Sequence, residues 1–155
     1  MAEYSHEWLC GAIVDNTGDA IIFGDADGVV RLWNAGAERI FGFRADEIVG
    51  KSMDLIIPEN LRERHWEGYY ETMRTGRTQY SRNLLAVPAI RKDGARISIE
   101  FTIVMIRSAD GKLLGPAAIL REVTTRWNRD KETTKRLAAL EAEVARLRGG
   151  TKSAS

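Results

Sequence analysis

Apolar and polar residues alternate most clearly along the stretch Arg96–Arg107. Every second residue from Ile97 to Ile103 is apolar, Phe101 among them, and Ser, Glu and Thr stand between these residues. A period of two is the side-chain period of a β-strand. We therefore predict a strand here, with one face directed into a hydrophobic core.

Four further apolar runs are typical of strands, because Asp-Gly turns and other polar segments bound them. The five predicted strands are Ala20–Gly24, Val29–Asn34, Thr78–Ile90, Arg96–Arg107 and Leu113–Val123. After the second strand, Ala35–Phe41 and Asp46–Gly50 predict short capped helical segments. This order of elements predicts an α+β domain with an antiparallel sheet and helices grouped over one face.

The stretch Ile56–Gly76 predicts one short helix with a histidine on its apolar side. Pro58 suits the first helical turn, and Gly76 suits a helix end. At about 100° per residue, four residues fall on one flank with Trp66 beside them. These four are Leu61, His65, Tyr69 and Met73. His65 is therefore predicted to point inward.

An inward histidine has two interpretations. It can be a neutral core residue whose nitrogens are satisfied by backbone or side-chain partners, and the helix alone favours this interpretation. It can also be a metal or haem ligand, because a porphyrin supplies four nitrogens and needs only one imidazole and an apolar slot from the protein. Gly68, close to His65, would let a flat group approach the helix.

Both ends of the chain predict helices. The residues at about 2–14 form an amphipathic pattern, and Thr125–Arg148 carries apolar residues at alternating spacings of three and four. The latter residues are Leu137, Leu140, Val144 and Leu147. We predict that this C-terminal helix pairs two chains; the alternative is an amphipathic helix folded back onto its own domain. The predicted organisation is a helix over 1–14, a domain over 15–124, a helix over 125–148 and a disordered tail over 149–155.

Composition narrows the possible functions. The chain has 23 Lys and Arg against 22 Asp and Glu, and its net charge of +1 predicts neither a nucleic-acid partner nor an anionic membrane. Cys10 is the only cysteine, which excludes an internal disulfide and a covalent C-x-x-C-H haem attachment. We find no apolar run of about twenty residues and expect a cytoplasmic protein that does not cross a membrane.

Several motifs occur in an order that resembles a PAS sensory domain over roughly residues 10 to 125. The matching segments are Asp15–Ile22, Asp27-Gly28, Trp33–Gly42, Glu47–Gly50, Arg91–Gly94 and Arg121–Thr124. The resemblance implies a five-stranded antiparallel sheet with short helices that enclose a cavity. One departure is Glu122, where the family often has Asp in an Asp-x-Thr triplet at the start of its signalling helix.

Within this family, the segment Arg62-Glu63-Arg64-His65 resembles the Arg-x-x-His of haem-binding oxygen sensors. The resemblance implies that His65 is the proximal iron ligand of haem b, with Leu61 and Tyr69 on the same helix flank. It also implies that strand residues form the opposite wall, namely Leu85, Phe101 and Ile103. In those sensors an arginine on the following strand donates to bound O₂, and gap-free counting places Leu85 at that position. Arg82 or Asn83 could instead turn inward as the donor. We therefore predict weaker O₂ retention, or faster oxidation, than in the arginine-bearing relatives.

These observations predict a sensor rather than an enzyme, because no catalytic constellation or output-domain sequence accompanies the PAS pattern. The expected ligands are haem and a diatomic gas, and the expected assembly is a homodimer through the terminal helices. Two alternatives remain: a haem-free PAS module for dimerisation or protein interaction, and a sensor of flavin or another small metabolite. The sequence does not identify the downstream signalling partner.

Overall fold

A computed structural model describes residues 4–78, 80–81 and 84–150, with Leu85 and Gly150 described for their backbone alone. The chain divides into two units, the first ending at Glu122 and the second beginning at Val123. Arg82 and Asn83, and residues 151–155 of the predicted tail, lie outside the described residues.

The first unit contains the five-stranded sheet and four α-helices of the described chain. Its helices are α1 (His6–Asn16), α2 (Ala35–Phe41), α3 (Ala45–Ile48) and α4 (Arg62–Thr75), and two 3₁₀ turns at Met53–Ile56 and Glu59–Leu61 precede α4. Its strands are β1 (Ala20–Gly24), β2 (Val30–Trp33), β3 (Leu85–Ile90), β4 (Arg96–Arg107) and β5 (Leu113–Glu122). The strand order is β2-β1-β5-β4-β3, with every neighbouring pair antiparallel. The predicted α+β architecture is confirmed.

The hydrophobic core lies between one face of the sheet and the short helices. Ile97 and Ile99 of β4 are buried in it, as the alternating pattern predicted, and Phe41 of α2 and Ile48 of α3 pack into the same cluster. Burial of apolar surface of this kind supplies about 25 cal/mol for each Å² removed from water. The core therefore fixes the sheet register and the positions of the helices together.

Asn34 joins β1, α1 and α2 at one corner of the domain. Its buried side-chain oxygen accepts from the backbone N–H groups of Ile21, at 2.8 Å, and Ala37, at 2.9 Å. Its amide nitrogen donates to the carbonyls of Val14 and Asp19. The predicted helix cap at Asn34 is confirmed, and the three further hydrogen bonds of this side chain explain why a polar residue is buried here at little cost.

The prediction of one helix from Ile56 to Gly76 is wrong at its N-terminal end, because α4 begins at Arg62. The residue before a proline is disfavoured in the helical region, and Ile57 is extended. A 3₁₀ turn follows Pro58, and the Arg62 guanidinium donates to the carbonyl of Ile57 at 3.2 Å. The predicted end at Gly76 is confirmed, with φ of 65° at that glycine.

Several other predicted boundaries also differ from the structure; the predicted helical segment Asp46–Gly50, for example, is Ala45–Ile48. The strand predicted from Thr78 begins at Leu85, because Tyr80 lies in a turn. The N-terminal helix runs from His6 to Asn16, somewhat later than predicted. Its side chains at Trp8, Leu9 and Ile13 are exposed in the single chain.

The second unit is the helix α5, which extends from Thr124 to Gly150. It includes Gly149 and Gly150, which we expected in the tail. The four predicted seam residues are exposed, and Leu147 is 60% exposed. The predicted C-terminal helix is confirmed, whereas its pairing with a second chain stays a prediction.

Candidate functional site

The inward face of α4 carries a cluster of aromatic rings around His65. The His65 imidazole lies edge-on to the Trp66 ring at a centroid distance of 4.9 Å, and its centroid is 5.9 Å from that of Tyr69. Tyr69 is buried, whereas Glu67 and Glu71 on the opposite flank are exposed. The predicted orientation of this helix is confirmed.

The His65 imidazole has an unsatisfied nitrogen. Its Nδ1 atom is buried and has no hydrogen-bond partner among the described residues. Burial lowers the pKa of His65, and the nearby Asp54 charge opposes that shift only in part. The ring is therefore neutral near pH 7, which is the form that offers a lone pair to a metal. Buried polar atoms normally have a partner, so this arrangement suits an imidazole that binds a further group.

Asp54 holds the indole ring of Trp66, which lies next to His65. Its Oδ1 atom accepts a hydrogen bond from the Trp66 indole nitrogen at 2.8 Å. The backbone carbonyl of Asp54 accepts from the Arg62 guanidinium at 3.1 Å. The 3₁₀ turn that carries Asp54 is thus tied to α4 at two points.

The β1–β2 hairpin packs against the same face of α4. The Tyr69 hydroxyl donates to the carbonyl of Asp25 at 2.6 Å, and burial raises the pKa of this phenol. A Cβ placed on Gly28 would lie 2.1 Å from the Trp66 ring, and one on Gly24 would lie 2.8 Å from the Tyr69 hydroxyl. The hairpin glycines are therefore what allows two large rings of α4 to sit against its backbone.

The predicted opposite wall lies on the sheet. Phe101 packs against the same core cluster as Trp66 and Tyr69, and Ile103 is half-buried two residues further along β4. The backbone of Leu85 pairs with that of Phe101, and the Leu85 side chain lies outside the described part of the chain. Leu61 is half-buried and directly precedes α4.

The structure thus brings His65 and Tyr69 into direct contact, and it joins Tyr69 and Phe101 through one core cluster. Sequence reasoning missed two neighbours of this site, Asp54 and Tyr80. The Tyr80 ring lies 5.6 Å from that of Phe101, and its carbonyl accepts from the Ile103 N–H at 3.1 Å. Neither residue could be found from periodicity, because their partners are 12 or more residues away in the chain.

A haem group is compatible with these side chains. Within the described residues, no three His, Cys, Asp or Glu side chains form a cluster able to hold a bare metal ion. Haem needs only one strong protein ligand and apolar or aromatic surroundings. A neutral, half-buried imidazole with one buried nitrogen that lacks a partner among the described residues, flanked by aromatic rings, meets that requirement.

A family described as PAS fold matches residues 14–128, which is well over half of the sequence. This chain belongs to the PAS family. The match includes the complete five-stranded sheet and α4, and it confirms the predicted resemblance. None of the helices in the described residues combines the length and the apolar character needed to cross a membrane.

Curated relatives of this PAS domain include sensor proteins. An uncharacterized protein of Azorhizobium caulinodans is 32% identical over 74% of this chain and 16% of its own length. The oxygen sensor protein DosP of Escherichia coli is 24% identical over 86% of this chain and 15% of its own. The sensor protein FixL of Bradyrhizobium diazoefficiens is 26% identical over 88% of this chain and 26% of its own length. The chain therefore spans between 15% and 26% of the length of these relatives.

Solved structures similar to this chain are PAS-type domains. The PAS domain of a protein from Colwellia psychrerythraea has a TM-score of 0.68 at 20% identity and covers 78% of this chain and 99% of its own. An RNA-binding light-oxygen-voltage receptor has a TM-score of 0.68 at 19% identity and covers 90% of this chain and 40% of its own. At these identities the similarity shows the fold alone.

Proposed function

We propose that this PAS domain is a sensory module that holds haem b through His65 and responds to a diatomic gas or to redox state. The observation that carries the proposal is the neutral, half-buried imidazole whose buried Nδ1 atom has no partner among the described residues. The resemblance of Arg62–His65 to haem-binding PAS sensors and the similarity to an oxygen sensor protein support it. Sensing, rather than catalysis, is the proposed role.

The residues that would surround the haem lie on two sides of the site. His65 supplies the imidazole, while Leu61 and Tyr69 provide apolar and aromatic surface on the same side. Phe101 and Ile103 present apolar surface from β4. Haem, when bound, supplies an iron centre that binds a diatomic gas and changes redox state.

The gas preference follows from the sheet side of the site. An apolar wall gives bound O₂ no charge-assisted hydrogen bond, whereas CO needs little such support. Leu85 stands where the oxygen sensors of this family have arginine. We therefore expect shorter O₂ retention than in those sensors, with CO binding largely preserved.

The signal would leave the domain along its strands. β4 pairs with β5 from Ile99 to Arg107, so a change at Phe101 or Ile103 acts directly on β5. β5 ends at Glu122, and α5 begins at Thr124. We propose that α5 pairs two chains through its exposed apolar residues and carries the output as a change between two helix arrangements. The downstream partner would be whatever domain or protein this helix contacts.

The visible absorption spectrum tests haem binding. The full chain is produced with excess haem, and the haem bound per chain is measured for the wild type and for His65→Ala. His6→Ala is the matched control, because His6 is the other histidine and is exposed on α1. We expect an intense haem band in the wild type and in the control, and its loss or a marked shift in His65→Ala. A colourless wild type, or a band unchanged by His65→Ala, contradicts the proposal.

A haem-free interaction module is the second candidate, and the packing of α4 favours it. Trp66, Tyr69 and Tyr70 pack against one another with centroid distances between 5.3 and 6.3 Å, so side chains fill space beside His65. A colourless dimer in the same experiment supports this candidate. A flavin spectrum would instead support the small-metabolite alternative.

A further inference from the structure

We propose that Asp54 is a positioning residue of the His65 site, which acts through Trp66 and lowers the reduction potential of the bound haem iron by its negative charge. This inference rests on the proposed function. It concerns a side chain outside α4 that has no place in the predicted ligand set.

Asp54 is hydrogen-bonded to Trp66, and the Trp66 ring contacts His65. Its carboxylate accepts the Trp66 indole N–H at 2.8 Å, and the indole in turn lies edge-on to the imidazole at 4.9 Å between centroids. On another side, the Trp66 ring lies against Gly28 so closely that a Cβ there would be 2.1 Å away. The indole is therefore held by a charge-assisted hydrogen bond and by the hairpin backbone, and its position limits where the imidazole can lie.

Asp54 itself is held in place by its local structure. The 3₁₀ turn is capped by the Ser52 hydroxyl, which accepts from the Asp54 N–H at 3.2 Å. The Arg62 guanidinium donates to the Asp54 carbonyl at 3.1 Å, and its Nε atom is 3.9 Å from the carboxylate. That longer contact leaves part of the carboxylate charge uncompensated, and this charge raises the pKa of His65 against the effect of burial.

A negative charge near haem favours the more positive form of the iron. Ferric haem carries one positive charge more than ferrous haem, so a nearby carboxylate stabilises the ferric form relative to the ferrous form. Reduction by one electron is then less favourable. Removal of the carboxylate charge should shift the midpoint potential to a more positive value.

A redox titration of the haem-loaded full chain tests this inference. Dithionite supplies the electrons, mediators ensure equilibrium, and the visible spectrum reports the ferric and ferrous fractions. The test variant is Asp54→Asn. Glu71→Gln is the matched control, because it removes the same charge from an exposed position on α4, about 9 Å along the helix axis from His65.

We expect a more positive midpoint potential in Asp54→Asn and a wild-type value in Glu71→Gln. Asp54→Glu keeps the charge and should retain most of the wild-type potential. Asp54→Ser also removes the charge, and it serves as the test if Asp54→Asn does not fold. Trp66→Phe keeps an aromatic ring but loses the N–H donor that holds the Asp54 carboxylate in place. The charge then spends less time near the site, so we expect a smaller shift of the midpoint potential in the same direction as in Asp54→Asn.

The outcomes separate this inference from the proposed function. A wild-type chain without haem refutes the proposed function, and the inference with it. A haem-loaded wild type whose potential is the same in Asp54→Asn and Glu71→Gln refutes the inference alone. An unchanged potential in Trp66→Phe, with a shift in Asp54→Asn, refutes the positioning role assigned to Asp54 through Trp66.

Discussion

Replacement of Gly28 by alanine should destabilise the domain through the Trp66 ring. Gly28 has φ of 76°, and a Cβ there would lie 2.1 and 2.2 Å from two carbons of the indole. Gly94 has a similar φ of 83°, and a Cβ there would meet nothing within 4 Å. Gly94→Ala is therefore a matched control that has the same backbone strain without the clash.

The expected loss of stability in Gly28→Ala has two parts, the backbone strain and the clash with the Trp66 ring. Alanine in the left-handed region costs about 1–2 kcal/mol, and the reduced entropy of the unfolded chain offsets about 0.4–1 kcal/mol of that. Gly94→Ala should thus cost about 1 kcal/mol. In Gly28→Ala the indole must either be overpacked, at about 1–3 kcal/mol, or move and lose its bond to the Asp54 carboxylate, at a similar cost. We expect the difference between the variants to be about 2 kcal/mol.

Urea unfolding of the haem-free protein, followed by circular dichroism, measures both free energies of unfolding. A difference of 2 kcal/mol corresponds to about 4–8 °C in Tm for a domain of this size. The Trp66 environment should also change in Gly28→Ala but not in Gly94→Ala, as judged by fluorescence with Trp66→Phe as the reference. Two variants that differ by less than about 0.5 kcal/mol would refute the packing of α4 against the β1–β2 hairpin.

Three further substitutions test other contacts. Tyr69→Phe should lower the free energy of unfolding by about 1 kcal/mol in urea titrations; the loss is no larger because the Asp25 carbonyl still accepts from a backbone N–H, and no loss would contradict this hydrogen bond. The Arg121 guanidinium holds the pKa of Asp19 below its usual value, so the native state binds fewer protons there than the unfolded state. The stability advantage of the wild type over Arg121→Gln should therefore be present near neutral pH and decrease as the pH falls below about 4 towards and through the folded pKa; an advantage that does not decrease in acid would count against this pair. Leu140→Asp should weaken the proposed dimer in sedimentation experiments, and an unchanged dimer affinity would exclude α5 as the pairing helix.

The candidate site shows which contacts a local sequence pattern can predict and which it cannot. His65 and Tyr69 could be placed on one inward flank because they are four residues apart, and a helix puts such residues on one face. Asp54 was missed because its bond to Trp66 spans a 3₁₀ turn, a proline and a helix start. No periodicity runs through such a segment, so the contact depends on its three-dimensional course.

The sequence by itself determined the strands, the capped helix α2 and the overall α+β class, because alternation, Asp-Gly turns and the Asn34 cap act over a few neighbouring residues. It also determined that His65 points inward. Only the tertiary structure decided which groups meet that imidazole. The fold left its Nδ1 atom buried without a partner among the described residues, and it brought Trp66 against Gly28 and Asp54. The reason is physical: burial and close contact arise between segments distant in sequence, and the closure of the whole sheet and its helices brings those segments together.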